Sequence, residues 1–97
     1  MRIFTQQSLV TYCQVYPEAK VALQNWKMIV RRSKWKNFAD LKRSFRSADS
    51  IGNQRYVFNI KGNDFRLVAV VKFKIGFVYI RFFGRHDEYE RINCTTV

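Results

Sequence analysis

Residues 55–83 read RYVFNIKGNDFRLVAVVKFKIGFVYIRFF, and the period of this stretch decides the fold class. Tyr56, Phe58 and Ile60 alternate with Arg55, Val57 and Asn59. Phe65, Leu67, Ala69, Val71 and Phe73 alternate with Arg66, Val68, Val70 and Lys72. Phe77, Tyr79, Arg81 and Phe83 alternate with Val78, Ile80 and Phe82. A period of two sends successive side chains to opposite faces of a strand. Gly62-Asn63 and Gly76 fall between the runs, where turns need residues that tolerate left-handed backbone. The stretch predicts a meander of three antiparallel strands. Gly84 is read as its end, and His86 to Ile92 as one or two helical turns.

Upstream the period changes. Arg2 to Phe4 suits a short opening strand, and Thr5 is a plausible N-cap for a helix carrying Leu9, Tyr12, Cys13 and Tyr16. Pro17 ends that helix and suits the first turn of the next. Ala19, Ala22, Leu23, Trp26, Ile29 and Val30 then form an apolar stripe at helical spacing. A third short helix is expected from about Phe38 to Phe45, and the Ser, Asp, Gly and Asn of Ser47 to Asn53 read as a loop. Helices first and strands afterwards argue an α+β fold in a single domain spanning residues 1–97.

The chain carries 18 basic and 7 acidic residues, a net charge of +11. Such an excess repels itself in the folded state and is usually kept for a negative partner. Seven of the Lys and Arg lie between Arg31 and Arg46, with one acid, Asp40, among them. Arg31, Arg32, Lys34, Lys36, Lys42 and Arg43 from this run are candidates for phosphate contacts. Trp35, interleaved with them, suits a core position better than a base-stacking one. The run lacks the continuous apolar face of a membrane-surface helix, and Leu67 to Val71 is too short an aliphatic run to span a bilayer. Cys13 and Cys94 lie far apart with no zinc spacing, and both are read as reduced thiols of a cytoplasmic protein.

Chemistry is narrowed by what the residues do not supply. One histidine, two distant cysteines and few carboxylates make no metal-ligand cluster, and no Gly-rich loop precedes a helix. No cofactor is implied. Metal-free RNA cleavage remains feasible, because the 2′-hydroxyl is its own nucleophile and the protein need only position, clamp and move protons. Arg66 and Arg81 fall on neighbouring strands, and guanidinium forks bind phosphate oxygens bidentately. His86, with Tyr89 and Glu90 on the same face of any helix there, is the one imidazole able to shuttle a proton. A surface or capping role for His86, and a solvated sheet face for the arginines, stand beside that reading. A non-catalytic basic RNA-binding module would share the charge and the aromatics without needing His86 or Tyr89.

At these residues the sequence resembles the HigB family of toxins, distant relatives of RelE. The resemblance runs through Trp26, the segment from Trp35 to Lys42, Phe45 and Ser47 to Asp49. It is strongest over YVFNIKGN (56–63) and FRLVA (65–69), and closes with VYIRF (78–82), His86, Glu88, Tyr89, Arg91 and Ile92. It implies a RelE-like fold with N-terminal helices packed on an antiparallel sheet and a short C-terminal helical segment. It implies a toxin that cleaves mRNA, often on the ribosome, and a cognate HigA-like antitoxin carrying a helix-turn-helix. It implies that Lys61, Asn63, Arg66, Arg81, His86 and Tyr89 match motif positions around a cleft, with Arg66, Arg81, His86 and Tyr89 catalytic and Lys61 and Asn63 contacting RNA. Arg85, a further RNA-binding candidate, stands where the family commonly has threonine. Asp87 replaces a small residue and Glu90 an aspartate, so the charge beside the histidine differs.

Overall fold

A computed structural model describes residues 1–97, with the side chain of Gln6 outside the described set. Strand β1 (Arg2–Ile3) leads into helix α1 (Gln6–Val15), a 3-10 turn at Pro17–Ala19, helix α2 (Lys20–Arg32) and helix α3 (Phe38–Ser44). Strands β2 (Asp49–Gly52), β3 (Arg55–Ile60), β4 (Phe65–Lys72) and β5 (Phe77–Arg85) follow, then helix α4 (His86–Glu90). The fold is α+β and RelE-like. The sheet has five strands in the order β1-β5-β4-β3-β2.

The expected meander is its centre, widened at both edges. β1 pairs with β5 in parallel, through Arg2 N–H to the Gly76 carbonyl at 2.8 Å and Phe4 N–H to the Val78 carbonyl at 3.0 Å, so the sheet is mixed rather than purely antiparallel. β2 corrects the loop expected at Ser47 to Asn53. It is an exposed edge strand antiparallel to β3, closed by Asn53 and Gln54 at φ 53° and 60°. Two consecutive left-handed residues are what a tight two-residue hairpin demands. Thr5 also departs from expectation: its hydroxyl accepts the Ile80 N–H at 2.6 Å and makes no capping bond to α1. The unpaired edge of β5 takes the bond that the helix was expected to receive.

Helices α1 to α3 cover one face of the sheet. Leu23, Trp26 and Val30 of α2 are buried at helical spacing against that face. Trp26 meets Phe58 edge-on at 5.5 Å, and Phe65 stacks on Phe83 at 5.2 Å. Trp35 is 4% exposed and its indole N–H donates to the Ser44 hydroxyl at 2.9 Å, which places it in the core.

The other face carries Arg55, Val57, Asn59, Arg66, Val68, Val70, Phe82 and Gly84, as the strand registers dictate. Its middle is covered by the chain's last residues. Asn53 Nδ2 donates to the Thr95 carbonyl at 2.9 Å, and Arg55 to the Val97 main-chain oxygen, while Val68 beneath is fully buried.

β5 does not end at Gly84. It runs to Arg85, with Gly84 paired to Arg66 and Arg85 to Phe65. A Cβ on Gly84 would lie 2.9 Å from the Phe82 ring and 3.3 Å from Glu88, so glycine here permits α4 to fold back against the strand.

Candidate active site

The β3–β4 turn and the start of α4 meet at one end of the sheet. Lys61 and Gly62 both take left-handed backbone, at φ 53° and 63°, which turns the chain sharply after Ile60. Lys61 Nζ stays exposed, 3.9 Å from the Asp64 carboxylate. The Asp64 carbonyl accepts the His86 N–H at 3.2 Å, and this bond ties α4 to the turn. Arg66 stands opposite Gly84 on β5 and Asn59 on β3, and its Nη1 donates to the carbonyls of Asn63 and Phe65 at 3.1 and 3.2 Å. Lys61, Asn63, Arg66 and His86 therefore gather around one turn.

α4 brings Tyr89 to the same place. Burial raises the Tyr89 phenol above its ordinary range, a hydrogen bond with the Cys94 thiol and the potential of that group add to the rise, and Arg66 pulls it back. The phenol feels Arg66 and stays protonated at neutral pH. His86 Nε2 lies 3.3 Å from the Glu90 carboxylate one helical turn on, and the imidazole is about half exposed, at 53%. The single-face arrangement expected for these residues holds because the segment is helical.

A residue that sequence reasoning left out of the site holds α4 in place. The Glu88 carboxylate accepts the Arg85 N–H at 2.9 Å and the Tyr16 hydroxyl at 2.7 Å. Those two bonds, the backbone one first, hold the Glu88 carboxyl below the usual glutamate range, and the same contact with Glu88 raises the Tyr16 phenol. Only the capping-box spacing from N-cap to third helical residue, here Arg85 to Glu88 with arginine in place of the usual Ser or Thr, signals this cap in the sequence.

Other candidates lie elsewhere. Arg85 sits on the helix-covered side of β5, against the rings of Phe65 and Tyr16 at 5.0 and 5.6 Å, with its Nη2 2.6 Å from the Glu18 carboxylate. It braces α4 and does not face Arg66. Arg81 shares the face of Arg66 but stands three residues earlier on β5, and its Nε donates to the Val97 main-chain oxygen at 3.2 Å. The two guanidiniums hold different partners. Lys34 and Lys36 border a cleft with Arg2, Phe73, Lys74 and Gly76, at the β4–β5 turn. That is the far end of the sheet from Arg66, about 20 Å away at the usual rise per strand residue. Arg31 and Arg32 border the outer surface of α2 beside Lys27 and Met28. Lys42 donates to the Ala48 carbonyl at 2.7 Å and Arg43 pairs with Asp40 at 2.8 Å. Of the basic run, Arg46 comes nearest the turn, lining a cleft with Asn59 and Lys61. Among the described residues no three His, Cys, Asp or Glu side chains come together as a metal site requires. No helix is long and apolar enough to cross a membrane.

Comparison with known proteins follows the same lines. The family profile described as "HigB_toxin, RelE-like toxic component of a toxin-antitoxin system" matches residues 19–92. The chain is 34% identical over 92 residues to the mRNA interferase toxin HigB of Escherichia coli (strain K12), an alignment covering 93% of this chain and 88% of that protein. The mRNA interferase HigB of Shigella flexneri matches at the same identity and coverage. The matched span takes in α2, α3, all four antiparallel strands and α4. The chain belongs to the HigB family of RelE-like toxins.

Proposed function

We propose that this protein is an mRNA-cleaving endoribonuclease, the toxin of a type II toxin–antitoxin pair, acting without a metal or cofactor. One observation carries the reading. The Tyr89 phenol, whose titration burial pushes upward, lies within the field of Arg66, while the main-chain bond from His86 to Asp64 ties the start of α4 to the same turn. A cation, a proton donor and a proton acceptor at one end of a sheet are what internal RNA cleavage needs.

In the reaction so read, Arg66 holds the non-bridging oxygens of the scissile phosphate and Lys61 adds charge beside it. Glu90 engages His86 at Nε2, and Nδ1 accepts the proton of the 2′-hydroxyl as its oxygen bonds to phosphorus. The bond from phosphorus to the 5′-oxygen breaks, and the Tyr89 hydroxyl gives that oxygen its proton. The imidazolium then returns a proton to the phenolate. The product is a 2′,3′-cyclic phosphate and a free 5′-hydroxyl. Asn63 borders the strand's path, and the exposed cations of Arg31 to Lys36 grip distant phosphates of mRNA or ribosomal RNA.

The whole chain acts as one domain in the cytoplasm, on mRNA engaged by the ribosome. A cognate antitoxin, acidic where it touches this basic chain, holds it in check. The test is induced expression of the wild type beside Arg66→Ala and His86→Ala, with cleavage sites mapped on cellular mRNA. Wild type arrests growth and leaves new 5′-hydroxyl ends, and both variants grow. Arrest by both variants as strong as wild type overturns the assignment. Binding of labelled RNA without cleavage, with and without translating ribosomes, returns the protein to the class of non-catalytic RNA binders.

A further inference from the structure

Two arginines on the face of Arg66 converge on one oxygen of the chain itself. Arg55 Nε and Nη2 donate to the Val97 main-chain oxygen at 3.0 and 2.8 Å, and Arg81 Nε donates to the same atom at 3.2 Å. Arg55 is held for this by a second bond, from Nη1 to the Asn53 carbonyl at 3.0 Å. Among the described residues neither guanidinium has an Asp or Glu side chain within ion-pair distance, although six ion pairs form elsewhere in the chain.

Register between β4 and β5 shifts at Val68/Ala69, with Val68 opposite Phe82 and Ala69 opposite Ile80, so Arg81 is the extra residue of a bulge. Arg55 and Tyr79 both stand opposite Val70, so Arg81, two residues past Tyr79, keeps the face of Arg55, and the bulge reverses the alternation only beyond it. Two like charges gathered on a single acceptor form a cradle for an anion. A phosphate oxygen of an RNA strand suits the same cradle.

We infer that Arg55 and Arg81 form a second phosphate subsite for single-stranded RNA, covered at rest by residues 93–97 and opened when the strand displaces them. The inference rests on the reading of the protein as an RNA-cleaving toxin. The subsite lies on the order of 10 Å along the sheet from Arg66 at the usual rise per residue, so it takes a neighbouring phosphate and not the scissile one. The covering segment is held lightly. Asn53 Nδ2 reaches the Thr95 carbonyl, and Asn93 organises the turn through Thr95 and Val97.

The test uses the full chain and a labelled RNA oligonucleotide carrying 2′-O-methyl groups throughout, which cannot be cleaved. Arg55→Gln weakens binding and lowers the slope of log affinity against log salt by about 0.7, the share of one phosphate contact to a single strand. The paired change Asn53→Gly and Asn93→Ala touches neither guanidinium and loosens the cover, since glycine suits the left-handed turn at residue 53. It tightens binding about fivefold, the equivalent of one net hydrogen bond returned to the RNA. An unchanged affinity and slope in Arg55→Gln, or an unchanged or weaker affinity in the loosened variant with native circular dichroism, overturns the inference. The wild type on all-ribose RNA, both free and engaged by translating ribosomes, separates the two claims. Binding without cleavage there removes the nuclease reading and leaves the subsite, whereas cleavage with a silent Arg55→Gln removes the subsite alone.

Discussion

Replacing Gly84 by alanine tests the joint that carries His86 and Tyr89. The new Cβ would meet Phe82 Cζ at 2.9 Å and Glu88 Cβ and Cδ at 3.3 Å. The first contact is closer than side chains tolerate, and the Phe82 ring must tilt. The second pushes Glu88 away from the two groups it holds, the Arg85 N–H at 2.9 Å and the Tyr16 hydroxyl at 2.7 Å. Overpacking by one methyl costs about 1–3 kcal/mol, and weakening a cap bond adds about 0.5–1 kcal/mol. The sum is about 1.5–4 kcal/mol, and a chain of this size then loses on the order of 6–30 °C in Tm.

Equilibrium unfolding in urea reads the loss directly, with Glu88→Ala and the double variant as partners. Glu88→Ala alone removes the cap and costs about 1–2 kcal/mol. In the double variant the Glu88 carboxyl is no longer there to be displaced, so its cost falls short of the sum of the single costs by about 1 kcal/mol. Strict additivity, or a Gly84→Ala protein as stable as the wild type, refutes the account of Gly84 as the residue that lets α4 fold back.

The same joint has a pH signature. Glu88 has a depressed pKa, so its contribution is complete above the ordinary glutamate value of 4.5 and is lost as pH falls through its lower folded value. Tyr16 has a raised pKa, so its contribution is complete below the ordinary phenol value of 10.0 and is lost as pH rises through its higher folded value. Tyr16→Phe should flatten the alkaline limb of a stability–pH curve and shrink the acid one, whereas unchanged limbs would remove this contact from the account. At the far end of the sheet, Lys34→Gln with Lys36→Gln should lower the salt slope for long RNA by about 1.4 and leave the cleavage rate at saturating substrate unaltered. Loss of cleavage in that double variant would contradict the placement of these lysines away from Arg66.

The helices and central strands were legible because burial on one face imposes a period, and period is visible in a single sequence. β2 was not legible, since its Asp49 and Ser50 are exposed and its pairing depends on β3 rather than on its own apolar residues. Thr5 looked like an N-cap, but the competing acceptor demand of the β5 edge lies 75 residues away, beyond any local reading. The grouping of Lys61, Asn63, Arg66, His86 and Tyr89 could be anticipated in part, because a hairpin turn and the residues after the third strand return to the same end of a meander. The distance from Lys34 and Lys36 to that end could not, because it depends on which way α2 runs across the sheet.

Arg85 shows most plainly how one residue alters the reading of a site. In an unbroken alternation Arg81, Phe83 and Arg85 share a face, and Arg85 joins Arg81 and Arg66 as a cation for RNA. The bulge at Arg81 changes the parity. Arg81, Phe82 and Gly84 then fall on the open face, while Phe83 and Arg85 turn to the helices. Phe83 is 5% exposed, and Arg85 closes on Glu18 and the rings of Tyr16 and Phe65. The arginine standing where threonine is common thus adds no charge to the open face. It becomes a brace between the 3-10 turn and α4, the helix that carries His86 and Tyr89. The positive charge beside the histidine is therefore consistent with an intact site, because the fold directs that charge away from it.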